Sequence, residues 1–243
     1  MKLTVVKSTL DGIRSLRDLF LQENNIQFIH NKCHEYGWAD VYQIFADQQC
    51  IGYGSVWGLN KREDRDTIFE FYVLPGFRKI SIDAFSSLAS ICGASHMETQ
   101  TNDVLTSPLF FGFARNIQVQ SILFDDHNTT SMLLPGSRLI NKTDPDLSYR
   151  ELKYALLLND KEVATGGMLL NYNWPYADIY MDVAENLRGK GLGAIMVQEL
   201  KRECYNARRI PAARCNVKNL ASRATLLKSG FGICGYLLVG EIN

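Results

Sequence analysis

Three glycines in five positions, Gly189, Gly191 and Gly193, separate a strand-like run at 177–183 from a long amphipathic stretch that begins near 191. Arg188 and Lys190 stand among them. Glycine lets a ligand approach the backbone closely. A helix N-terminus offers free N–H groups and the positive end of its dipole. Strand, glycine turn and helix together make a cradle for the diphosphate of a phosphorylated cofactor. The spacing is G-x-G-x-G, so it fails the dinucleotide pattern G-x-G-x-x-G, and G-x-x-x-x-G-K-[ST] is absent. A nucleotide-dependent dehydrogenase is excluded on that ground.

Other residues offer chemistry less directly. Ten basic residues fall within 188–228, among them Lys201, Arg214 and Lys228, against Glu199 and Glu203 alone. They read either as a solvated helix face or as a local field attracting a small polyanion. Cys215 is either a nucleophile or a buried thiol, and no histidine partners it. His30, Cys33, His34 and Glu35 have helical spacing that suits either a metal or a packed helix face; with no fourth ligand nearby, no metal site is assigned. Asn171 to Tyr176 form an aromatic hairpin tip that either lines a pocket or caps a sheet.

The 243 residues, 46% hydrophobic, suffice for one large or two small domains. Lys+Arg and Asp+Glu number 26 each, which argues against nucleic acid or membrane surfaces as partners. Six scattered cysteines without a C-x-x-C pair suit reduced thiols in a cytoplasmic setting. No apolar run approaches the ~20 residues of a membrane span.

The patterns predict helices at 9–36, 80–92, 191–207 and 219–229, the last ending at Gly230. Strands are predicted at 40–47, 50–57, 67–73, 96–101, 115–125, 152–159, 162–171, 177–183, 212–217 and 232–241. The halves resemble each other. Asp47 to Gly54 aligns with Asp160 to Gly167, Val73 with Val183, Arg78 with Arg188, and Gly112-Phe113 with Gly230-Phe231. A tandem duplication accounts for this. Gly189, Gly191 and Gly193 correspond to Lys79, Ser81 and Asp83, and the Asp83 carboxylate would repel a phosphate. The first copy is therefore expected to hold no cofactor. The fold class expected is α/β (α+β), with domains at 1–130 and 150–243 and a linker at 131–149.

Two stretches in order resemble the GNAT superfamily of acyl-CoA-dependent N-acyltransferases. Arg188 to Gly193 matches its R-x-x-G-x-G/A signature, and Asn219 to Phe231 stands in the place of its second signature, N-x-x-A-x-x-L-Y-x-K-x-G-F, sharing Asn219, Lys228, Gly230 and Phe231 with it. The resemblance covers about 177–231, and the whole chain resembles two GNAT-like mixed-sheet domains in tandem, the first degenerate. It implies that backbone amides of Gly189, Lys190, Gly191, Leu192, Gly193 and Ala194 hold the pyrophosphate of acetyl-CoA beside Arg188. It implies that Met181 to Val183 pair with the pantetheine arm, with Asn219 and Ser222 close by. No metal is implied. The tyrosine that often protonates the leaving thiolate is replaced by Leu226. The second copy is also expected to lack the family's opening strand and two helices.

The activity implied is transfer of an acetyl group to a small-molecule or peptide amine by direct attack; the alternative is a non-catalytic acyl-CoA sensor. Either a monomer or a homodimer is compatible. Transfer needs an oxyanion stabiliser, such as a backbone N–H near Val183, and a base. There is no histidine after His127, which leaves Asp178, Asp182 and Glu185 as candidate bases.

Overall fold

The computed structural model describes residues 1–24, 26 and 31–242. The chain forms two compact units, one of Met1–Gln120 with Tyr236–Asn243, the other of Ser121–Gly235. The first holds β1 (Leu3–Ser8), α1 (Leu10–Glu23), α2 (Asn31–Glu35), β2 (Asp40–Ala46), β3 (Gln49–Trp57) and β4 (Thr67–Val73). A 3-10 turn (Pro75–Ile80) then leads into α3 (Ser81–Cys92), followed by β5 (His96–Gln100) and α4 (Thr106–Phe113). After β6 (Ala114–Asp126), the second unit continues with β7 (Ser137–Asn141), β8 (Glu151–Leu158), β9 (Lys161–Leu169) and β10 (Tyr176–Val183). It ends with α5 (Leu192–Asn206), β11 (Ile210–Asn216), α6 (Leu220–Lys228) and β12 (Phe231–Ile242), whose last residues belong to the first unit.

Each unit is a mixed sheet with the same order of neighbouring strands. In the first, β1 to β4 are antiparallel neighbours, β5 lies parallel to β4, and residues 237–241 of β12 run antiparallel to β5. In the second, β7 to β10 are antiparallel neighbours, β11 lies parallel to β10, and residues 121–125 of β6 run antiparallel to β11. Each unit is thus completed by the strand that follows the other's last helix. The expected boundaries at 130 and 150 miss this, because alternation marks a strand without naming its partner. The expected linker, 131–149, contains β7, paired with β8 from Ser137↔Leu158 to Asn141↔Tyr154. The second copy therefore keeps an opening strand and lacks only the two helices.

The elements form for local reasons. Thr9 caps α1, its hydroxyl accepting from the Gly12 N–H at 3.2 Å, and Ile13, Leu16 and Phe20 share the buried face. The single helical pattern expected over 9–36 is two helices, and its Ile29 lies outside the described residues. The α3 helix packs on Gly54, where a Cβ would stand 2.1 Å from Leu88 Cδ2; α5 packs on Gly166, where a Cβ would stand 3.0 Å from Leu200 Cδ1. Register also pairs Gly54 with Phe71 and Gly166 with Met181, so Gly54 corresponds to Gly166, one residue from the alignment expected.

Lys201 departs from the reading of a basic surface. Its side chain is 6% exposed, and its ammonium lies 2.6 Å from Asp126 Oδ1 and donates to the Asn128 and Ser229 carbonyls at 2.7 Å each. It is a satisfied buried cation of the second core. Gly230, at φ +88°, is held against the same segment, because a Cβ there would stand 2.1 Å from the Asn128 oxygen.

The first unit is organised around Glu70, fully buried on β4. Arg17 Nη2 reaches Oε1 at 3.0 Å, His34 Nε2 reaches Oε2 at 3.1 Å, and Tyr53 donates to Oε2 at 3.2 Å. Burial alone would raise the carboxyl pKa, but Arg17 and His34 outweigh it and hold the group well below the carboxylate range. A lowered folded-state value contributes stability above the unfolded pKa and loses it as pH falls. Glu70→Gln should cost the first unit about 3 kcal/mol, because Arg17 is left buried without its counter-charge. Urea denaturation at pH 7 measures this, and the deficit should shrink below about pH 4, where the wild-type carboxylate begins to lose its advantage.

Candidate functional site

In the second unit β10 and β11 are in register only from Tyr176↔Ile210 to Asp178↔Ala212. On its other side β10 stays paired with β9 as far as Val183↔Ala164, and the Ala184 N–H donates to Val163 O at 3.3 Å. That bond sets the phase of the ladder. The N–H and C=O groups of Met181 and Val183 therefore point away from β9, into the space that β11 has left. The Val183 carbonyl accepts from Arg188 Nε at 3.1 Å, and Asp182 Oδ1 accepts from Arg188 Nη2 at 3.1 Å. Arg188 thus fastens the strand end to the turn. Arg78 does the same in the first unit, its Nε 3.5 Å from the Val73 carbonyl and its guanidinium paired with Glu23.

The glycine turn follows. Gly189 and Gly191 take φ of +79° and +82°, the left-handed region that favours glycine, and Gly191 is the N-cap of α5. The N–H groups of residues 189–193 have no acceptor among the described residues. The Ala194 N–H, expected to join them, is instead bonded to the Gly191 carbonyl at 3.1 Å. Leu192 packs into the core, and Ala194 is buried. Gly193 serves packing as well, since a Cβ there would stand 3.2 Å from Met181 Cε and from Thr225 Cγ2.

A cleft of about 560 Å³ opens beside this turn, lined by Met181, Val183 and Arg188 on one side and by Asn219, Ser222 and Lys228 on the other. Lys190 stands outside it, exposed. Lys228 was not among the expected site residues; its Nζ lies 3.6 Å from where a Gly191 Cβ would be. The lysine in the second signature was the signal for it. Open amides, two left-handed glycines and a lysine fit a diphosphate without obstruction by side chains. Asn219 caps α6, its Oδ1 accepting from the Ser222 N–H at 3.0 Å, so only its amide nitrogen is left for a ligand.

A second cavity of about 260 Å³ adjoins the first and shares Met181 and Ser222 with it. Asp178 lines it, buried, with Oδ2 3.9 Å from Arg214 Nε. Leu226 lines it too and carries no proton to give. Asp182 does not face it: its carboxylate is 72% exposed and paired with Arg188. Glu185 is exposed in the 3-10 turn Glu185–Leu187 and lines neither cavity. Of the three candidate bases, only Asp178 is both buried and beside the parted strands.

The remaining candidates separate. Cys215 is buried in the core, where burial, the leading effect, pushes its thiol up despite Ser222 and Arg223; a protonated thiol suits packing, not nucleophilic attack. His127 belongs to the second unit and pairs with Asp125 at 2.9 Å, but the register Asp125↔Ala212 places it toward Ile210, away from the opening. Tyr180 leans over Gly167 and donates to Glu151 Oε1 at 2.5 Å, so it supplies no proton at the gap. In the first unit Cys33 is buried, its thiol pushed up to about 12 by burial, and His34 is bonded to Glu70; His30 lies outside the described residues. No group of three metal-ligating side chains occurs among the described residues, nor any helix long and apolar enough to cross a membrane. The hairpin tip divides: Tyr172 is buried against Arg214, while Trp174 is exposed beneath Arg209.

Residues 122–231 match the model of the Acetyltransferase (GNAT) family. Among solved structures, an acetyltransferase of the GNAT family from Colwellia psychrerythraea superposes with a TM-score of 0.79 at 14% identity, covering 100% of both chains. A tandem GNAT protein from the clavulanic acid biosynthesis pathway gives 0.61 at 11%, covering 99% of this chain and 98% of its own. A GCN5-related N-acetyltransferase from Sphaerobacter thermophilus gives 0.56 at 14%, covering 99% and 96%. At these identities the likeness is one of fold. No curated protein matches the sequence.

Asn219→Ala should lower the stability of the second unit by about 1 kcal/mol through loss of the α6 cap. Chemical denaturation followed by circular dichroism measures it.

Proposed function

Because residues 122–231 belong to the acetyltransferase (GNAT) family, we propose that the protein transfers an acetyl group from acetyl-CoA to a primary amine within a ternary complex. The observation that carries this reading is the separation of β10 from β11 beside an unobstructed glycine turn. Acetyl-CoA, when bound, supplies an activated thioester. The amides of 189–193 and the Lys228 ammonium hold the diphosphate. The open edge of β10 at Met181 and Val183 binds the extended arm as a strand would. Arg188 keeps that edge in place, and Asn219 and Ser222 border the arm.

The Val183 N–H faces the gap and stabilises the negative charge that develops on the carbonyl oxygen under attack. Asp178 accepts the proton of the amine. As the C–N bond forms and the C–S bond breaks, the thiolate leaves without a tyrosine at the Leu226 position. This is chemically acceptable, since an unperturbed thiol has a pKa near 8.5. Asp182, bound to Arg188, and Glu185, exposed to solvent, have structural or solvated roles in this scheme.

The first copy has no cofactor role. There the 3-10 turn runs directly into α3 without a left-handed residue, and Asp83 lies in the helix's first turn. A carboxylate at that position disfavours a phosphate.

Gly191→Asp should weaken CoA binding at least 100-fold by calorimetry while shifting the melting temperature by only a few degrees. Unchanged affinity would refute the cradle. Asp178→Asn should lower kcat/KM for thiol release by roughly 10²- to 10⁴-fold with CoA affinity retained. Tight CoA binding with no thiol released from any amine would make the protein a sensor instead.

A further inference from the structure

We propose that the acceptor is a small amine that also carries a carboxylate, and that Arg214 is the residue that selects it. This rests on the acetyl-transfer reading of the same gap and names its substrate class.

The side chains concerned share one face. Ala213 and Cys215 of β11 pack into the core with α5 and α6, so Ala212 and Arg214 face the opposite side. Asp178 is in register with Ala212 and points the same way. Asp178 and Arg214 thus meet where the strands part, across the sheet from the helices that border the cleft.

Among the described residues, the charged side chains that line the adjoining cavity are one acid and one base, Asp178 and Arg214. Their separation of 3.9 Å is an ion-pair distance, too long for a hydrogen bond. The Arg214 side chain is 30% exposed and that of Asp178 10%. A zwitterion meets both groups at once, its ammonium on Asp178 and its carboxylate on Arg214, in the planar geometry that guanidinium and carboxylate share. A polyamine fares worse. The single carboxylate is already neutralised by Arg214, and the guanidinium repels a second ammonium.

Two further features fit. The cavity's 260 Å³ lies just below the ~300–1,000 Å³ of drug-sized ligand pockets, which suits an acceptor of amino-acid size. Arg214 is also held in place: its Nη2 donates to Tyr172 Oη at 3.0 Å, and its guanidinium lies 5.8 Å from the centre of that ring. Tyr172 itself is 2% exposed. Tyr172 is therefore a positioning residue for Arg214.

The test uses the full chain and acetyl-CoA. Thiol release is measured with matched pairs: each common amino acid against the amine left when its carboxylate is removed, with spermidine added. At least one amino acid should exceed its partner tenfold or more in kcat/KM. Arg214→Met should raise KM for that amino acid by roughly 10- to 100-fold and bring the ratio within the pair close to one. Arg214→Lys should restore part of the ratio. Tyr172→Phe should raise the same KM several-fold while CoA affinity holds. If Arg214→Met does not fold, as judged by circular dichroism, the last two variants carry the comparison.

Plain amines or spermidine as equal or better acceptors would overturn the proposal while leaving acetyl transfer intact. So would an Arg214→Lys variant that depresses both members of a pair equally. Calorimetry of the same amines into CoA-saturated protein separates the two ideas. Carboxylate-dependent binding that disappears in Arg214→Met, with no thiol released, would keep Arg214 as the selector of carboxylated amines and refute transfer. Absence of both binding and turnover for every carboxylated amine would overturn the assignment.

Discussion

Two parallel strands that stay together for three register pairs and then separate govern the second unit. Were β11 to follow β10 as far as Val183, the backbone groups of Met181 and Val183 would be spent on the ladder. Instead they face a gap. A sheet tolerates such a break only where something else satisfies the strand end, and Arg188 does so by binding the Val183 carbonyl and the Asp182 carboxylate. The glycine turn, the cleft and the Asp178–Arg214 pair all take their positions from that gap.

The first unit carries the same break and a different outcome. The β4 and β5 strands share only Thr67↔His96 and Ile68↔Met97, and Arg78 closes the strand end as Arg188 does. Yet a cavity among the described residues there, bordered by Phe69, Glu98 and Thr106, holds about 10 Å³, room for little more than a water molecule. Glu70 lies two residues beyond the last register pair and binds inward to Arg17, His34 and Tyr53. One copy spends its polar groups on its own interior; the other leaves them facing a cavity. The chemistry of the pair lies in what has filled the gap.

Much of this was legible in the residues. Short apolar alternations bounded by turns located β4 and β10, and the three glycines marked the turn because few other roles need left-handed backbone twice in three positions. Arg78 and Arg188 were equivalent by spacing alone, and both bind the carbonyl of the valine five residues earlier. The failures have a common cause, which is that sequence gives position along the chain and not partner. Lys201 is one of ten basic residues within 188–228, and its burial follows only from the Asp126 carboxylate and two carbonyls that the fold places around it. Asp182 and Asp178 are equivalent by alternation, but only tertiary structure gives one to Arg188 and the other to Arg214. The segment 131–149 has the prolines and polar residues of a linker, and five residues of it still complete a sheet edge.

The exchange of closing strands bears on how the chain is made. Residues 1–120 supply the rest of the first unit, but the strand that lies against β5 arrives only with residues 237–241. A nascent chain would emerge with that edge of β5 bare, a row of unpaired amides and carbonyls inviting the wrong neighbour. The unit synthesised first is the one finished last, and its native pairing spans more than 130 positions of sequence. Such distant closure slows folding. That edge of β5 therefore stays open until the last strand of the chain has been made.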